Sequence, residues 1–360
     1  MSELQWKGYA VHDTSKWTEF KIIDFTPKAF DEEDLDIKID FCGICGSDLH
    51  TITGGWGKPM LPVIPGHEIV GQVVRVGAKV KEFKPGDRVG VGAQVWSCNK
   101  CANCKNDNEN YCRHLVDTYN AKYPNGDMAY GGYSTAIRVS ERYVFPIPEK
   151  LSSEQAAPML CAGLTVFSPL VRNGTGPGKK VGIVGVGGLG HYAIQFAKAL
   201  GAEVTVFSSS TGKKADAIEM GADKFVVTRE PDALENMEMT LDLIICTADV
   251  SHGIPLTKLL QTLIVHGKLV MVALPDEKLP DLRGASFITN GCALSGSHIG
   301  SKKESIQMLN LAVEKGVKSW IDIRPMSEVG ECVKRVKANK VKYRHVLKAD
   351  LRTDSKITTT

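Results

Sequence analysis

The chain has 360 residues, of which 43% are hydrophobic and 24% charged, with a formal net charge of +3 and no long basic run. That balance belongs to an ordinary globular protein and excludes a nucleic-acid or anionic-membrane footprint. The opening MSELQWKGYA lacks the basic region, apolar core and cleavage site of a secretory leader, and no apolar run reaches the roughly 18 residues of a membrane span, so a cytoplasmic protein with small-molecule partners is expected.

At about 150 residues per domain, the length predicts roughly two domains. Up to about residue 155 the chain carries short β-type runs, EIVGQVVRVG, DRVGVGAQV, STAIRV and RYVFPIP, with turn signals such as KPGD at 84–87, and predicts a β-rich domain. Two groups of chemistry-bearing residues fall here or just beyond. Cys45 in CGICGSDLH, His67 with Glu68 in PGHEIVG, and Cys161 in LCAGLT are dispersed. Each alone could be a small buried hydrophobe or an ordinary histidine. Gathered in space, they would offer a metal two thiolates and an imidazole and leave a fourth position open. The stretch CNKCANCKNDNENYC at 98–112 instead sets Cys98, Cys101, Cys104 and Cys112 in the spacing C-x2-C-x2-C-x7-C. Cytosolic disulfides are rare, so cysteines so spaced are expected to be ligands. Four close thiolates can wrap one zinc ion tetrahedrally and shut out water and substrate, with an iron–sulfur cluster or disulfide pairs as the competing readings.

From about residue 180 the rhythm changes. KKVGIVG, AEVTVFS, KFVVT, LDLIICTA, GKLVMVALP and CALSGS recur at roughly 20 to 30 residues, with helical stretches such as HYAIQFAKALG between several of them, and predict a doubly wound parallel sheet. GVGGLG follows a strand and opens a helix, and Gly185, Gly187 and Gly190 fit G-x-G-x-x-G around Gly188 and Leu189. Such glycines allow the tight turn and close approach that a dinucleotide pyrophosphate needs, although a purely structural turn would look the same. An NAD site carries an acid about 20 residues on, to accept from the ribose 2′-hydroxyl. Here the strand ends in SSSTGKK, where Ser208, Ser209, Ser210, Lys213 and Lys214 suit a 2′-phosphate, so NADP(H) is expected; a solvated polar loop is the plainer alternative. The helix-like ESIQMLNLAVEKG and strand-like RHVLKAD follow, before the tail SKITTT.

Taken together, CGICGSDLH, PGHEIVGQVVRVG, KPGDRVGVG, the four-cysteine segment, GGYS, CAGLTVFSPL, GVGGLGH, the SSS segment and SGSHIGS resemble the zinc-containing medium-chain alcohol dehydrogenases, within them the NADP-dependent cinnamyl alcohol dehydrogenase group with its fungal aldehyde-reducing members. The resemblance implies an α/β protein with a GroES-like catalytic domain, residues 1–155 and 296–360, carrying two zinc sites. A Rossmann NADP-binding domain, 156–295, would interrupt it, with the active site in the cleft between them and a homodimer as the assembly. It implies Cys45, His67 and Cys161 as ligands of catalytic zinc, with Glu68 beside the metal, and Cys98, Cys101, Cys104 and Cys112 around structural zinc. Ser47 and His50 would relay a proton, and Asp48 would orient His50 or groups around the metal. Many relatives carry Thr in place of Ser47. Thr165, Ser297 and Ile299 would join the cofactor contacts, and Trp56, Trp96, Tyr119 and His298 fall in segments that line the substrate pocket. Where plant enzymes selective for lignin precursors have Trp and Phe, this chain has Asp117 and His298, which implies a broad aldehyde reductase acting on cinnamaldehyde-type and medium-chain aldehydes. A polyol or secondary-alcohol dehydrogenase is the nearer rival, disfavoured by Cys161, which a carboxylate usually replaces there. A non-catalytic zinc-stabilised NADP-binding protein is the other, disfavoured because every presumed ligand is retained.

Overall fold

The structure is a computed structural model that describes residues 4–249 and 253–351; the tail SKITTT lies outside the described residues. The chain forms two compact units, one running to Cys161 and resuming at Ser319, the other Ala162–Lys318. The sequence suggests boundaries near 155 and 296. They fall later because helix Lys302–Lys315 belongs to the second unit: its buried Glu304 accepts from Arg172 Nε at 2.6 Å and from Ser168 Oγ at 3.2 Å, both on helix Ala162–Arg172.

The first unit is the expected β-rich fold, and its seven-stranded sheet positions the chemistry. Strand Asp34–Gly43 buries Leu35, Ile37 and Ile39 and lies between Ile69–Val76 and Arg344–Lys348, antiparallel to both. Cys42 pairs with Ile69 and Gly43 is opposite Val346. This register sets the turn after Gly43, which carries Cys45, beside the segment His67–Glu68 that enters the next strand. The far partner brings Arg344 to the same end. Gly43 is a steric necessity, since a Cβ there would stand 2.0 Å from Glu68 Oε2.

The second unit is a six-stranded, wholly parallel sheet in the order Lys224–Val227, Glu203–Ser208, Lys180–Val184, Leu241–Cys246, Leu263–Met271 and Ala293–Gly296. Its central strands are nearly continuous apolar runs, as helices covering both faces demand. Every run singled out in the sequence here is a strand or helix. Among the described residues no helix is long and apolar enough to cross a membrane.

Helix Lys302–Lys315 is closed by a capping box of Ser301 and Glu304 and ends at Gly316, φ 69°. Burial pushes the Glu304 carboxyl up, but Arg172, the Ser301 amide and Ser168 together hold it below its ordinary value. Glu304→Gln should cost about 2 kcal/mol at neutral pH. A lowered folded-state pKa gives stability that is present above the unfolded value and lost as pH falls through the folded one. Urea midpoints of variant and wild type should therefore differ at pH 7 and converge below about pH 4.

Candidate active site and metal centres

Cys45, His67, Glu68 and Cys161 come together in the first unit, one ligand atom from each lying within 4.8 Å of the others, all four residues buried. Cys45 precedes helix Gly46–Thr53, and Cys161 ends the 3₁₀ turn Ala157–Leu160. Cys45 Sγ is 3.9 Å from Cys161 Sγ, close to the roughly 3.8 Å that separates two sulfurs bound tetrahedrally at 2.3 Å. His67 Nε2 is 3.1 Å from Cys161 Sγ. Glu68 donates nothing here: Oε1 is held by Arg344, while Oε2 is buried without a hydrogen-bond partner. Burial pushes the Glu68 carboxyl up to about 8 against the pull of Arg344. Two thiols, an imidazole and an orphaned carboxylate oxygen around one point fit a zinc ion whose fourth position is open.

Asp48 organises the cluster. The sequence reading ties it to His50 or to groups around the metal; it is buried and meets His67. Its Oδ1 lies 3.1 Å from His67 Nδ1 and accepts from the Gly66 amide at 3.1 Å; its Oδ2 accepts from the Cys45 amide at 2.9 Å and from Tyr133 Oη at 2.8 Å. Occupied at Nδ1, the imidazole turns Nε2 toward the thiols, the usual arrangement of a metal-binding histidine. Burial pushes His67 down, but the Asp48 charge and hydrogen bond outweigh it and raise it well above normal; Cys45 is drawn well below the usual thiol value by the Cys161 hydrogen bond.

Cys98, Cys101, Cys104 and Cys112 form the second cluster. Cys98 and Cys112 are 3.5 Å apart, Cys101 and Cys104 3.5 Å, Cys101 and Cys112 3.9 Å, and Cys98 and Cys104 4.0 Å. No pair is at the roughly 2.05 Å of a disulfide, and all four sulfurs lie within 4.8 Å of one another, as the ligands of one tetrahedral zinc would. The amides of Lys100 and Cys101 draw the Cys98 thiol down to about 6. Ser97 Oγ, 3.1 Å from Cys104 Sγ, is fixed by Tyr143 Oη at 2.7 Å.

In the second unit GVGGLG joins strand Lys180–Val184 to helix Gly190–Ala199. Gly185 has φ 92°, and a Cβ on Gly190 would stand 2.1 Å from Gly185 O, so neither tolerates a side chain. A Cβ on Gly187 would meet nothing within 4 Å, so the loop presents bare backbone to open space, as a pyrophosphate cradle must. Gly188 and Leu189 complete the loop. Ser208 ends strand Glu203–Ser208, Ser209, Ser210 and Lys214 are exposed, and Lys213 Nζ donates to Val186 O at 2.5 Å, beside the glycines. Thr165 is buried in helix Ala162–Arg172, and Ser297 Oγ is buried without a hydrogen-bond partner. Ile299 has φ 48°, an expensive conformation for a β-branched residue and one that collects at functional sites.

The remaining expectations divide. Ser47 Oγ is 3.6 Å from Cys45 Sγ, beside the metal cluster, and His50 stacks on the half-exposed Trp56, ring centroids 4.6 Å apart and 8° from parallel. Tyr119, which falls in a segment expected to line the pocket, is buried with its ring 5.6 Å from that of His67, and Trp96 packs partly buried against the hydrophobic core. Asp117 and His298 are exposed. Tyr133 and Arg344 were not anticipated. GGYS marked the first only as a motif; nothing in the sequence links the second to Glu68, 276 positions away.

This geometry has close counterparts among known proteins. Residues 31–149 match the alcohol dehydrogenase GroES-like domain and residues 188–314 the zinc-binding dehydrogenase family. The chain is 44% identical over 348 residues to NADP-dependent alcohol dehydrogenase 6 of Saccharomyces cerevisiae, covering 95% of this chain and 96% of that protein. It is also 44% identical over 342 residues to a probable mannitol dehydrogenase of Mesembryanthemum crystallinum, covering 94% and 93%. A cinnamyl alcohol dehydrogenase structure from Sorghum bicolor superposes with a TM-score of 0.91 at 40% identity, covering 97% of this chain and 100% of that one. The chain belongs to the zinc-containing medium-chain alcohol dehydrogenases, in the cinnamyl alcohol dehydrogenase group. It is an oxidoreductase whose partners are small alcohols and aldehydes.

Proposed function

We propose that the protein is an NADPH-dependent reductase of broad specificity, interconverting aromatic and medium-chain aliphatic aldehydes with their primary alcohols. The observation that carries this reading is the convergence of Cys45, His67, Glu68 and Cys161 on one point with Asp48 fixing the imidazole. Cys45, His67 and Cys161 would hold the catalytic ion, which polarises the substrate oxygen, while the reduced nicotinamide supplies hydride. Ser47 would pass a proton to or from that oxygen and His50 would carry it toward solvent, its ring steadied by Trp56. Glu68, with one oxygen unengaged, is suited to enter the metal shell during ligand exchange. The SSSTGKK segment and Lys213 at the glycine loop favour a 2′-phosphate over a bare ribose. Trp56, Trp96 and Tyr119 are the pocket candidates of the first unit and His298 that of the second.

The reading extends to a cytoplasmic homodimer. Strand Ala293–Gly296 is an open edge of the parallel sheet, a surface that a second copy could extend strand to strand.

The test compares initial rates of cinnamaldehyde reduction with NADPH and NADH on zinc-replete protein. At least a tenfold advantage for NADPH, about 1.4 kcal/mol, is expected. Activity with NADH alone would overturn the phosphate site. The similarity to the probable mannitol dehydrogenase makes mannitol the natural rival substrate, and faster mannitol oxidation than cinnamyl alcohol oxidation would favour the polyol reading.

A further inference from the structure

We propose that Tyr133 is a positioning residue of the catalytic metal centre: its hydroxyl locks the Asp48 carboxylate in the orientation that aims His67, and so sets how firmly the site keeps its ion. The inference rests on reading Cys45, His67 and Cys161 as that ion's ligands.

The Asp48 carboxylate meets the amides of Cys45 and Gly66 and the His67 ring, all from the ligand-bearing segments or adjoining them. Tyr119 is a further side-chain partner. Tyr133 Oη, 2.8 Å from Oδ2, comes from a segment of its own. That segment is pinned by its main chain: the Gly132 amide donates to Gly66 O at 2.7 Å, the Tyr133 amide to Pro65 O at 2.9 Å, and Tyr133 O accepts from the Tyr9 amide at 2.8 Å. The ring is fully buried and so tightly enclosed that a Cβ on Gly66 would stand 2.5 Å from Cδ1. The acceptor its hydroxyl meets is a buried carboxylate, which makes the bond strong and directional. Without it, Oδ2 loses its shortest hydrogen bond, 2.8 Å against 2.9 Å from the Cys45 amide. The carboxylate is then freer to turn, and His67 loses the partner that fixes its tautomer and aim.

Tyr133→Phe removes the hydroxyl and leaves the ring that fills the core. In this variant the catalytic zinc should leave to a chelator roughly tenfold faster than in wild type, the lower end of what loss of an outer partner costs a metal site. The visible bands of cobalt placed in that site should shift in position or intensity. The ion of the four cysteines should leave at the wild-type rate. Tyr133→Leu, which also empties the ring's space, should lower the melting temperature well beyond the smaller drop that loss of one buried hydrogen bond gives Tyr133→Phe. Wild-type loss kinetics and an unchanged cobalt spectrum in Tyr133→Phe would overturn the inference alone. A lowered melting temperature in that variant, with both ions leaving faster, would reduce Tyr133 to a packing residue and overturn it too. A wild-type chain that retains only the ion of the four cysteines would overturn the ligand reading itself, and this inference with it.

Discussion

Cys161→Ser is expected to give a folded protein whose turnover falls at least about a thousandfold, a loss of roughly 4 kcal/mol of transition-state stabilisation. Cys161 is buried, so the substitution exchanges a sulfur for an oxygen in an otherwise unchanged packing. What changes is chemistry: at neutral pH a hydroxyl does not ionise as a thiol does, and a harder oxygen is a poor substitute for thiolate on zinc. The sulfur also stands 3.1 Å from His67 Nε2 and 3.9 Å from Cys45 Sγ, so its loss opens the ligand set from the middle. Metal analysis should find the ion of the four cysteines still bound and the catalytic one missing. Cys101→Ser makes the matched control. It should lose the other ion and stability first, because those four sulfurs close a loop and leave no position for substrate. Equal folding defects in the two variants would refute this division of labour.

Arg344→Leu should destabilise the first unit by about 1–3 kcal/mol, the cost of leaving a buried polar group without its partner. Both side chains are essentially out of solvent, 5% exposed for Arg344 and 0% for Glu68. Glu68 Oε2 already lacks a hydrogen-bond partner, and a carboxyl already pushed up to about 8 takes up a proton when Arg344 is lost rather than remaining a stranded charge, which keeps the cost below that of a broken ion pair. Adding Glu68→Gln should recover much of the loss, since removing both charges of a buried pair is often nearly neutral. Chemical denaturation of the four proteins of this cycle measures the coupling. Additive losses would show that the pair contributes nothing as a pair.

Both predictions draw on sites that the sequence revealed to different degrees. The four-cysteine lobe is local, and C-x2-C-x2-C-x7-C alone carries its chemistry. The glycine loop is equally legible, because strand, turn and helix follow one another without interruption and the steric demands of Gly185 and Gly190 are met within six residues. The catalytic cluster is another matter. Cys45, His67 and Cys161 are brought together by sheet register and a later turn, and only the resemblance to a family joined them beforehand. Asp48 could orient His50 or groups around the metal until the fold sets it against His67. Tyr119 lies in a segment expected to line the pocket; that its ring stands beside His67 was not legible, since spacing cannot say which face of a short strand or loop turns inward. Lys302–Lys315 was placed with the first domain because its amphipathic pattern does not name the surface it packs on; Arg172 and Ser168 do.

The Glu68–Arg344 pair has a consequence for the newborn chain. The four-cysteine lobe is complete as soon as residue 112 clears the ribosome, and the whole Rossmann unit is one uninterrupted segment that can fold while translation continues. Glu68 waits longer. It is made early, beside the ligands of the catalytic ion, but the arginine that neutralises it arrives only with the strand Arg344–Lys348, after the intervening unit has been synthesised. Until then a carboxylate bound for the interior has no counter-charge, and the sheet that should bury it lacks two of its strands, Ile321–Pro325 and Arg344–Lys348. During synthesis the catalytic half therefore remains open longest, and a nascent chain stalled before residue 344 would expose that half to chaperones and proteases while its nucleotide-binding half is already folded.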